Sequence, residues 1–258
     1  MNDYVLISGS GNTFTVSDNR DGHIGDIIAY TKAHAGENKT DGSLFIEPSV
    51  KADFRMRIIN TDGSEAEMCG NGARCAALFA YDRQIAESRR MEFETLAGII
   101  SGEVKNGGLV KVRLTDPSGY RTGIKLNLPG FTGEVSFINT GVPHVVVFTE
   151  EIETVDVVAL GREIRYCAAF KPSGANVNFV KVTGKDSIRV RTYERGVEGE
   201  TLACGTGSTA SALVSAALDK VTAPVRVLTQ GGEELCITFT RRDSVFNDVS
   251  LEGIVKYF

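Results

Sequence analysis

Two copies of a Cys-Gly-x-Gly motif, each at the predicted start of a helix with almost no charge, constrain the fold of this chain most. The first copy contains Cys69 and the second contains Cys204, so the two cysteines lie 135 residues apart in a chain of 258. Because this spacing is about half the chain length, the motifs predict two matching halves. A helix N-terminus activates a thiol by stabilising its thiolate form. Each half is therefore predicted to supply one reactive cysteine.

Both motif helices are predicted to be buried. The segment Leu202–Leu218 contains no charged residue, and its apolar residues recur at helical spacing. The first motif helix has Arg74 and Asp82 as its charged residues, one near each end. A helix that is apolar or small on all sides is usually enclosed by other elements, so each half is expected to wrap strands around one central helix. Two further helices are predicted, over Ile24–His34 and Ala159–Tyr166.

The repeat extends upstream of the two cysteines. Arg55–Asn60 and Arg189–Glu194 both alternate in strand fashion, and each then enters a polar turn. A glutamate stands four residues before each cysteine, at Glu65 and Glu200. These matches predict an internal duplication with pseudo-twofold symmetry, whose crossover lies near residues 117–130.

Composition excludes several classes of function. The net charge of −5 gives no basic surface for nucleic acid or for an anionic membrane. No apolar run approaches the roughly 20 residues that span a bilayer, and the first residues lack a signal-peptide pattern. The five cysteines are irregularly spaced, which favours reduced thiols and a cytoplasmic location. No zinc-type Cys/His spacing, P-loop or dinucleotide fingerprint is present, so no metal or cofactor is expected.

The paired motifs indicate a particular chemistry. The glycines after each cysteine leave the first N–H groups of the helix open, which suits a carboxylate. Two thiols on opposite sides of one α-carbon could invert it, because one removes the α-proton and the other returns a proton to the opposite face. A lone cysteine is more often a small buried hydrophobic residue, and that interpretation is retained for Cys75, Cys167 and Cys236. For Cys69 and Cys204 the duplicated context favours catalysis.

Long motifs around both cysteines resemble the diaminopimelate epimerase family. The first is Asn60–Cys75, and the second, Tyr193–Gly207, matches the second signature of that family. The resemblance also covers Gly11–Phe14 and Gly174–Phe179, so it extends over nearly the whole chain.

The resemblance implies a cofactor-independent epimerase that interconverts LL- and meso-2,6-diaminopimelate in lysine and peptidoglycan precursor biosynthesis. Cys69 and Cys204 would be its acid/base pair, and His144 would support thiol protonation. The other implied site residues bind the substrate. Backbone N–H groups of Gly70, Asn71, Gly205 and Thr206 would hold the reacting α-carboxylate, and Asn12, Asn60, Asn176, Glu194 and Arg195 would bind the α-amino group and the distal end.

The family fold implies an α/β (α+β) protein of two pseudo-symmetric domains, each a β-barrel or roll wrapped around a central helix, with the active site in the interdomain cleft. The predicted N-terminal domain is residues 1–116 together with the C-terminal strand at about 246–258. The predicted C-terminal domain is residues 117–245. The expected partner is a small diamino-dicarboxylate substrate, with no nucleic acid and no membrane. A homodimer is one option for the oligomeric state, which the sequence leaves open.

One departure from the family pattern keeps alternatives open. Val142 stands where the family often has an asparagine that contacts the distal end of the substrate. A racemase of another amino acid in the same superfamily, such as histidine or glutamate, is therefore a second hypothesis. A third, from another class, is a thiol redox-switched protein that binds an amino acid without turning it over.

Overall fold

The computed structural model describes residues 3–243 and 245–258, and the chain divides into two compact units. The first unit extends to Arg113 and includes Glu252–Phe258, and the second is Leu114–Leu251. The last strand, β17 (Val245–Tyr257), passes from the second unit into the first. None of the helices in the described ranges has the length and apolar character needed to cross a membrane.

Eight strands close into a β-barrel in the first unit. Neighbouring strands pair in the cyclic order β1, β2, β3, β4, β6, β7, β8 and β17, and β17 returns to β1. The pairs β2–β3 and β4–β6 are parallel. The short strand β5 pairs with β4 beside this ring. The elements are β1 (Val5–Gly9), β2 (Asn12–Asp18), α1 (Ile27–Asn38), β3 (Gly42–Glu47), β4 (Phe54–Asn60), β5 (Glu65–Ala66), α2 (Gly70–Asp82), β6 (Arg90–Thr95), β7 (Gly98–Val104) and β8 (Leu109–Arg113).

Helix α2 is the central helix of this barrel. It packs against strands β1, β2, β3, β4, β7 and β8, and every residue from Gly70 to Ala80 is buried. Close packing depends on small residues: a Cβ atom at Gly9 on β1 would lie 3.0 Å from the carbonyl oxygen of Asn71 and 3.1 Å from the sulfur of Cys75. Glycine at position 9 thus lets the strand approach the first turn of the helix.

The second unit repeats this order of elements. Its strands pair in the order β9, β10, β11, β12, β13, β15 and β16, and β14 is added to β13. The pairs β11–β12 and β13–β15 are parallel, in the positions that β2–β3 and β4–β6 hold in the first unit. The elements are β9 (Ser118–Asn127), β10 (Thr132–Asn139), β11 (Pro143–Phe148), α3 (Val157–Tyr166), β12 (Asn176–Gly184), β13 (Ser187–Glu194), β14 (Gly199–Thr201), α4 (Gly205–Ala217), β15 (Val225–Leu228) and β16 (Glu234–Arg242).

Helix α4 is the counterpart of α2. It packs against β10, β11, β12, β13, β15 and β16, and Gly207–Ala216 are buried throughout. The outer helices also match, since α1 connects β2 to β3 and α3 connects β11 to β12. The predicted internal duplication is therefore confirmed at the level of strand order and helix placement.

Each unit contains a matching ion pair close in sequence to its motif cysteine. The Arg57 guanidinium donates to both carboxylate oxygens of Glu65, at 2.8 and 2.7 Å. The Arg191 guanidinium donates to both oxygens of Glu200, at 2.7 and 2.8 Å. Such bidentate pairs fix geometry as well as charge. Each pair holds the short hairpin strand that leads into a Cys-Gly-x-Gly motif.

Candidate active site

Cys69 occupies the position just before helix α2. Its backbone is extended (φ −139°, ψ 119°), and its sulfur accepts a hydrogen bond from the N–H of Gly72 at 3.4 Å. The thiol therefore takes the role that Ser or Asp has at most helix N-termini. Because the N-terminal end of a helix carries partial positive charge, this position favours a thiolate.

Cys204 has the same environment at the start of α4. Its backbone is extended (φ −125°, ψ 110°), and its sulfur accepts from the N–H of Gly207 at 3.4 Å. The Thr206 hydroxyl lies 3.5 Å from this sulfur. Cys204 is buried, whereas Cys69 is half-buried. Both cysteines thus cap a helix of 13 residues, as the motifs predicted.

The backbone N–H groups predicted to hold a carboxylate belong to the first turns of these helices. Gly70 and Asn71 begin α2, and Gly205 and Thr206 begin α4. The first N–H groups of an α-helix have no acceptor within the helix, so these turns can bind an anion. In the second unit, the Thr140 hydroxyl donates to the carbonyl oxygen of Thr206 at 3.0 Å and fixes this turn.

Asn12 lies beside the first helix turn. Its Oδ1 accepts from the Nδ2 of Asn71 at 2.7 Å. The Oδ1 of Asn71 accepts in turn from the Arg74 guanidinium at 2.6 Å. Arg74 is fully buried and also donates to the Ser10 hydroxyl at 2.8 Å. The structure therefore brings Asn12 and Asn71 together with the cysteine motif of the first unit.

Asn60 lies at the end of β4, in the turn before the motif. Its amide nitrogen donates to the Ser64 hydroxyl at 3.0 Å, and its backbone carbonyl accepts from Gly63 at 2.9 Å. Asn60 is half-buried. Its side chain therefore stabilises the turn, and no hydrogen bond joins it to Asn12 or Asn71 in the described part of the chain.

Asn176, Glu194 and Arg195 come together in the second unit. The Oδ1 of Asn176 accepts from the backbone N–H of Arg195 at 2.7 Å, and its Nδ2 donates to Pro143 at 3.2 Å. The Arg195 guanidinium donates to the carbonyl oxygen of Ser173 at 3.3 Å. Glu194 accepts from the Thr201 hydroxyl at 3.0 Å. Asn176 thus fixes the backbone that carries the two charged residues.

His144 is fully buried on β11, next to Asn176 across the parallel pair β11–β12. Burial, together with the smaller effect of the positive charge of Arg195, lowers the pKa of His144 to about 3. The imidazole is therefore neutral near pH 7. Its Nδ1 lies 3.2 Å from the Nδ2 of Asn178, and its Nε2 has no hydrogen-bond partner within the described ranges. The predicted role of His144 in thiol protonation would therefore have to be that of a neutral hydrogen-bonding group and not of a cation.

Glu198 holds the loop that carries Glu194 and Arg195. Its carboxylate accepts from the hydroxyls of Tyr166 and Tyr193, each at 2.9 Å, and from the Arg165 guanidinium. Although burial acts to raise the pKa of Glu198, the N–H of Gly196 and these side chains lower it to about 2. The loop therefore depends on an ionised carboxylate.

We expect Glu198→Gln to destabilise the protein near pH 7, and the difference from wild type to narrow as the pH falls below the ordinary value of 4.5. The folded-state pKa of about 2 lies below the ordinary value of 4.5. The ionised carboxylate therefore contributes stability above the ordinary value, and that contribution is lost as the pH falls through the folded-state pKa. Urea midpoints of both proteins, measured from pH 7 down to about 3, test this. Glu134→Gln is the control, because Glu134 is exposed and its side chain bonds to no described residue. A pH-independent difference would contradict the expectation.

Sequence reasoning missed four residues that shape the site. These residues are Ser10, Arg74, Thr140 and Asn178. Asn178 is fully buried below α4, where it donates to the carbonyl oxygen of Val145 at 2.9 Å and accepts from Thr192 at 3.0 Å. Arg74 carried a signal, because a charged side chain in the first turns of a helix predicted to be buried requires partners. No group of three or more His, Cys, Asp or Glu residues that could hold a metal ion is found in the described ranges.

Comparisons with known proteins match nearly the whole chain to a single family. A family model described as diaminopimelate epimerase matches residues 4–119 and 136–248. The diaminopimelate epimerase of Aquifex aeolicus is 48% identical over 254 residues, which cover 92% of this chain and 90% of the relative. The diaminopimelate epimerase of Archaeoglobus fulgidus is 44% identical, with 89% and 86% coverage.

Solved structures with low sequence identity share the fold. A phenazine biosynthesis protein of the PhzF family from Bacillus anthracis has a TM-score of 0.75 at 16% identity, covering 98% of this chain and 96% of its own. A probable proline racemase from Agrobacterium radiobacter has a TM-score of 0.69 at 14% identity, covering 99% and 90%. At these identities the likeness supports the fold alone, and it confirms the predicted α/β class.

Proposed function

The chain belongs to the diaminopimelate epimerase family, and from that membership we propose that it interconverts LL- and meso-2,6-diaminopimelate. The observation that carries this proposal is the similarity to diaminopimelate epimerases, at 37–48% identity over most of the chain. The reaction is an isomerisation in which one α-carbon changes configuration. This activity would serve the formation of lysine and peptidoglycan precursors.

The proposed mechanism uses Cys69 and Cys204 as the two acid/base groups. The thiolate of one cysteine removes the α-proton, and the thiol of the other gives a proton to the opposite face of the same carbon. The first cysteine is then a thiol and the second a thiolate, so the reverse reaction starts from the product. The capping position of each sulfur supports these roles, because the helix N-terminus stabilises whichever thiolate is present.

Removal of an α-proton leaves negative charge that spreads onto the α-carboxylate. Donors aimed at developing charge are an effective way to lower such a barrier. We propose that N–H groups of Gly70, Asn71, Gly205 and Thr206 provide these donors. The proposed ligands for the remaining amino and carboxyl groups are Asn12, Asn60, Asn176, Glu194 and Arg195. A second carboxylate suits Arg195, since guanidinium groups bind carboxylates with two hydrogen bonds.

The activity is tested by incubating the purified protein with LL-diaminopimelate in D₂O, without added pyridoxal phosphate. We expect meso product with deuterium at the inverted α-carbon, detected by chiral chromatography and mass spectrometry. Histidine and glutamate, assayed in parallel, test the alternative raised by Val142. Turnover of one of these in place of diaminopimelate would contradict the proposed substrate. Binding without inversion of any of them would favour a non-catalytic protein.

The expected cytoplasmic location and the homodimer also remain proposals. The irregular spacing of the five cysteines in the sequence suits a reducing compartment. The oligomeric state is measured by sedimentation equilibrium over a range of protein concentrations. A mass near 27.8 kDa throughout would identify a monomer.

A further inference from the structure

A buried arginine starts a chain of three polar side chains beside Cys69. Arg74 is fully buried, and its guanidinium donates to Asn71, whose amide donates to Asn12. Further contacts of Arg74 are with the Ser10 hydroxyl and, at 3.5 Å, the carbonyl oxygen of Ile254. Burying a cation costs free energy unless it is well paired, so the acceptors around Arg74 must be held in place to pair with it.

The chemistry of arginine fixes the direction of every hydrogen bond in this chain. A guanidinium can only donate, so the atom of Asn71 that faces Arg74 must be the carbonyl oxygen. The NH₂ group of Asn71 then faces Asn12, and the atom of Asn12 that receives it must also be the carbonyl oxygen. The orientations of both amides follow from Arg74 alone.

This arrangement leaves one hydrogen-bond donor of the Asn12 side chain available. Its Oδ1 is occupied by Asn71, whereas its Nδ2 makes no hydrogen bond with any described residue. Asn12 is half-buried, so a ligand can reach it. The available group is a donor, and a donor binds a carboxylate oxygen and not an ammonium group.

The second unit shows that the fold does not require this chain. The residues 135 positions after Asn71 and Arg74 are Thr206 and Thr209. The Thr209 hydroxyl donates to the carbonyl oxygen of Gly205 at 2.9 Å, and α4 begins in the same manner as α2. A helix start with a capping cysteine can thus be built without a buried guanidinium, which points to a role for Arg74 in the site.

We propose that Arg74 is a positioning residue that acts through Asn71 to hold Asn12 with its NH₂ group available to a substrate carboxylate. This inference rests on the proposed function, in which Asn12 binds diaminopimelate. It assigns the NH₂ group of Asn12 to a carboxylate oxygen of the substrate. It also gives Arg74 a part in substrate selection without any contact with the substrate.

The assignment of Asn12 is tested by Asn12→Asp. The aspartate keeps an oxygen that accepts from Asn71, but it replaces the outward donor with a second, negatively charged oxygen. We expect kcat/KM for diaminopimelate to fall roughly 10- to 100-fold or more, because a charge-assisted hydrogen bond is lost and like charges meet. An unchanged or higher kcat/KM would mean that Asn12 binds an ammonium group, and it would overturn the proposal.

The role of Arg74 is tested by a double-mutant cycle with Arg74→Met and Asn12→Ala. If Arg74 acts through Asn12, Arg74→Met lowers kcat/KM roughly tenfold in the wild-type background and has almost no effect when Asn12 is already alanine. Equal losses in both backgrounds would show a merely structural role and overturn the proposal. Asn71→Ala keeps the backbone N–H and repeats the cycle if Arg74→Met does not fold, as judged by circular dichroism.

The wild-type assay separates the two levels of inference. If the wild-type protein turns over diaminopimelate but the two substitutions of the cycle have additive effects, only the positioning role of Arg74 is overturned. Absence of turnover by folded, reduced wild type would overturn the proposed function, and with it the assignment of Asn12 to a diaminopimelate carboxylate.

Discussion

Replacing Cys204 by alanine should abolish epimerisation, with kcat/KM lowered by at least roughly 10²–10⁴-fold, and Cys69→Ala should do the same. The expected size is that of a lost general acid or base. Inversion needs both groups, so the two losses should be similar and should not add in the double variant. Cys236→Ala is the matched control, because Cys236 lies on β16 and has no proposed part in the reaction.

A second measurement separates a two-base mechanism from a mechanism with one base. With only Cys69 or only Cys204 left, the protein can still remove the α-proton from one configuration and return a solvent proton to the same face. Each single variant should therefore exchange the α-hydrogen of one stereoisomer for deuterium without inverting it, and the two variants should differ in the stereoisomer that they label. Inversion at a rate close to that of wild type in either variant would contradict the two-base mechanism.

Gly207→Ala should cost roughly 2–4 kcal/mol of stability, the combined cost of overpacking and of breaking buried hydrogen bonds. A Cβ atom at this position would lie 2.3 Å from the Oδ1 of Asn178 and 3.2 Å from the sulfur of Cys204. Asn178 cannot move away easily, because its amide is bonded to Val145 and Thr192. Either the asparagine loses these bonds or α4 shifts, and a shift of α4 would displace the thiol of Cys204.

Helix propensity alone predicts that Gly207→Ala would raise the stability, which is the opposite of the expected result. Alanine in a helix is favoured over glycine by about 1 kcal/mol, so the contact with Asn178 must outweigh that gain. Gly36→Ala in α1 is the matched control, since nothing lies within 4 Å of a Cβ atom at Gly36. We expect Gly36→Ala to be neutral or stabilising. Urea unfolding of both variants measures the difference, and equal midpoints for the two would contradict the argument.

Local patterns explain why much of the fold could be predicted. The Cys-Gly-x-Gly motifs predicted helix starts at residues 70 and 205, where α2 and α4 begin. Caps and apolar periodicity act within one or two turns, so they can be identified from neighbouring residues. The outer helices were less well defined: Ile24–His34 was predicted, but α1 is Ile27–Asn38, because Asp26 caps it at the N–H of Ala29.

Arg74 shows the limit of such patterns. The sequence placed a charge near the start of a buried helix, but its partners include Ser10 and Ile254, which are 64 and 180 positions away. Which residues meet there depends on the pairing of β1 with β17 and on the packing of β1 against α2. No spacing rule within the helix contains that information.

The sequence by itself determined the two cysteines at helix starts, the duplication and the family to which the chain belongs, because these depend on local motifs and on their repetition. Only the tertiary structure decided that Arg74 is buried, that its guanidinium orients Asn71 and Asn12, and that Gly207 has no room for a side chain above Asn178. These features depend on strand register and helix packing, which bring distant residues within hydrogen-bond distance. The donor that Asn12 presents is a consequence of that packing.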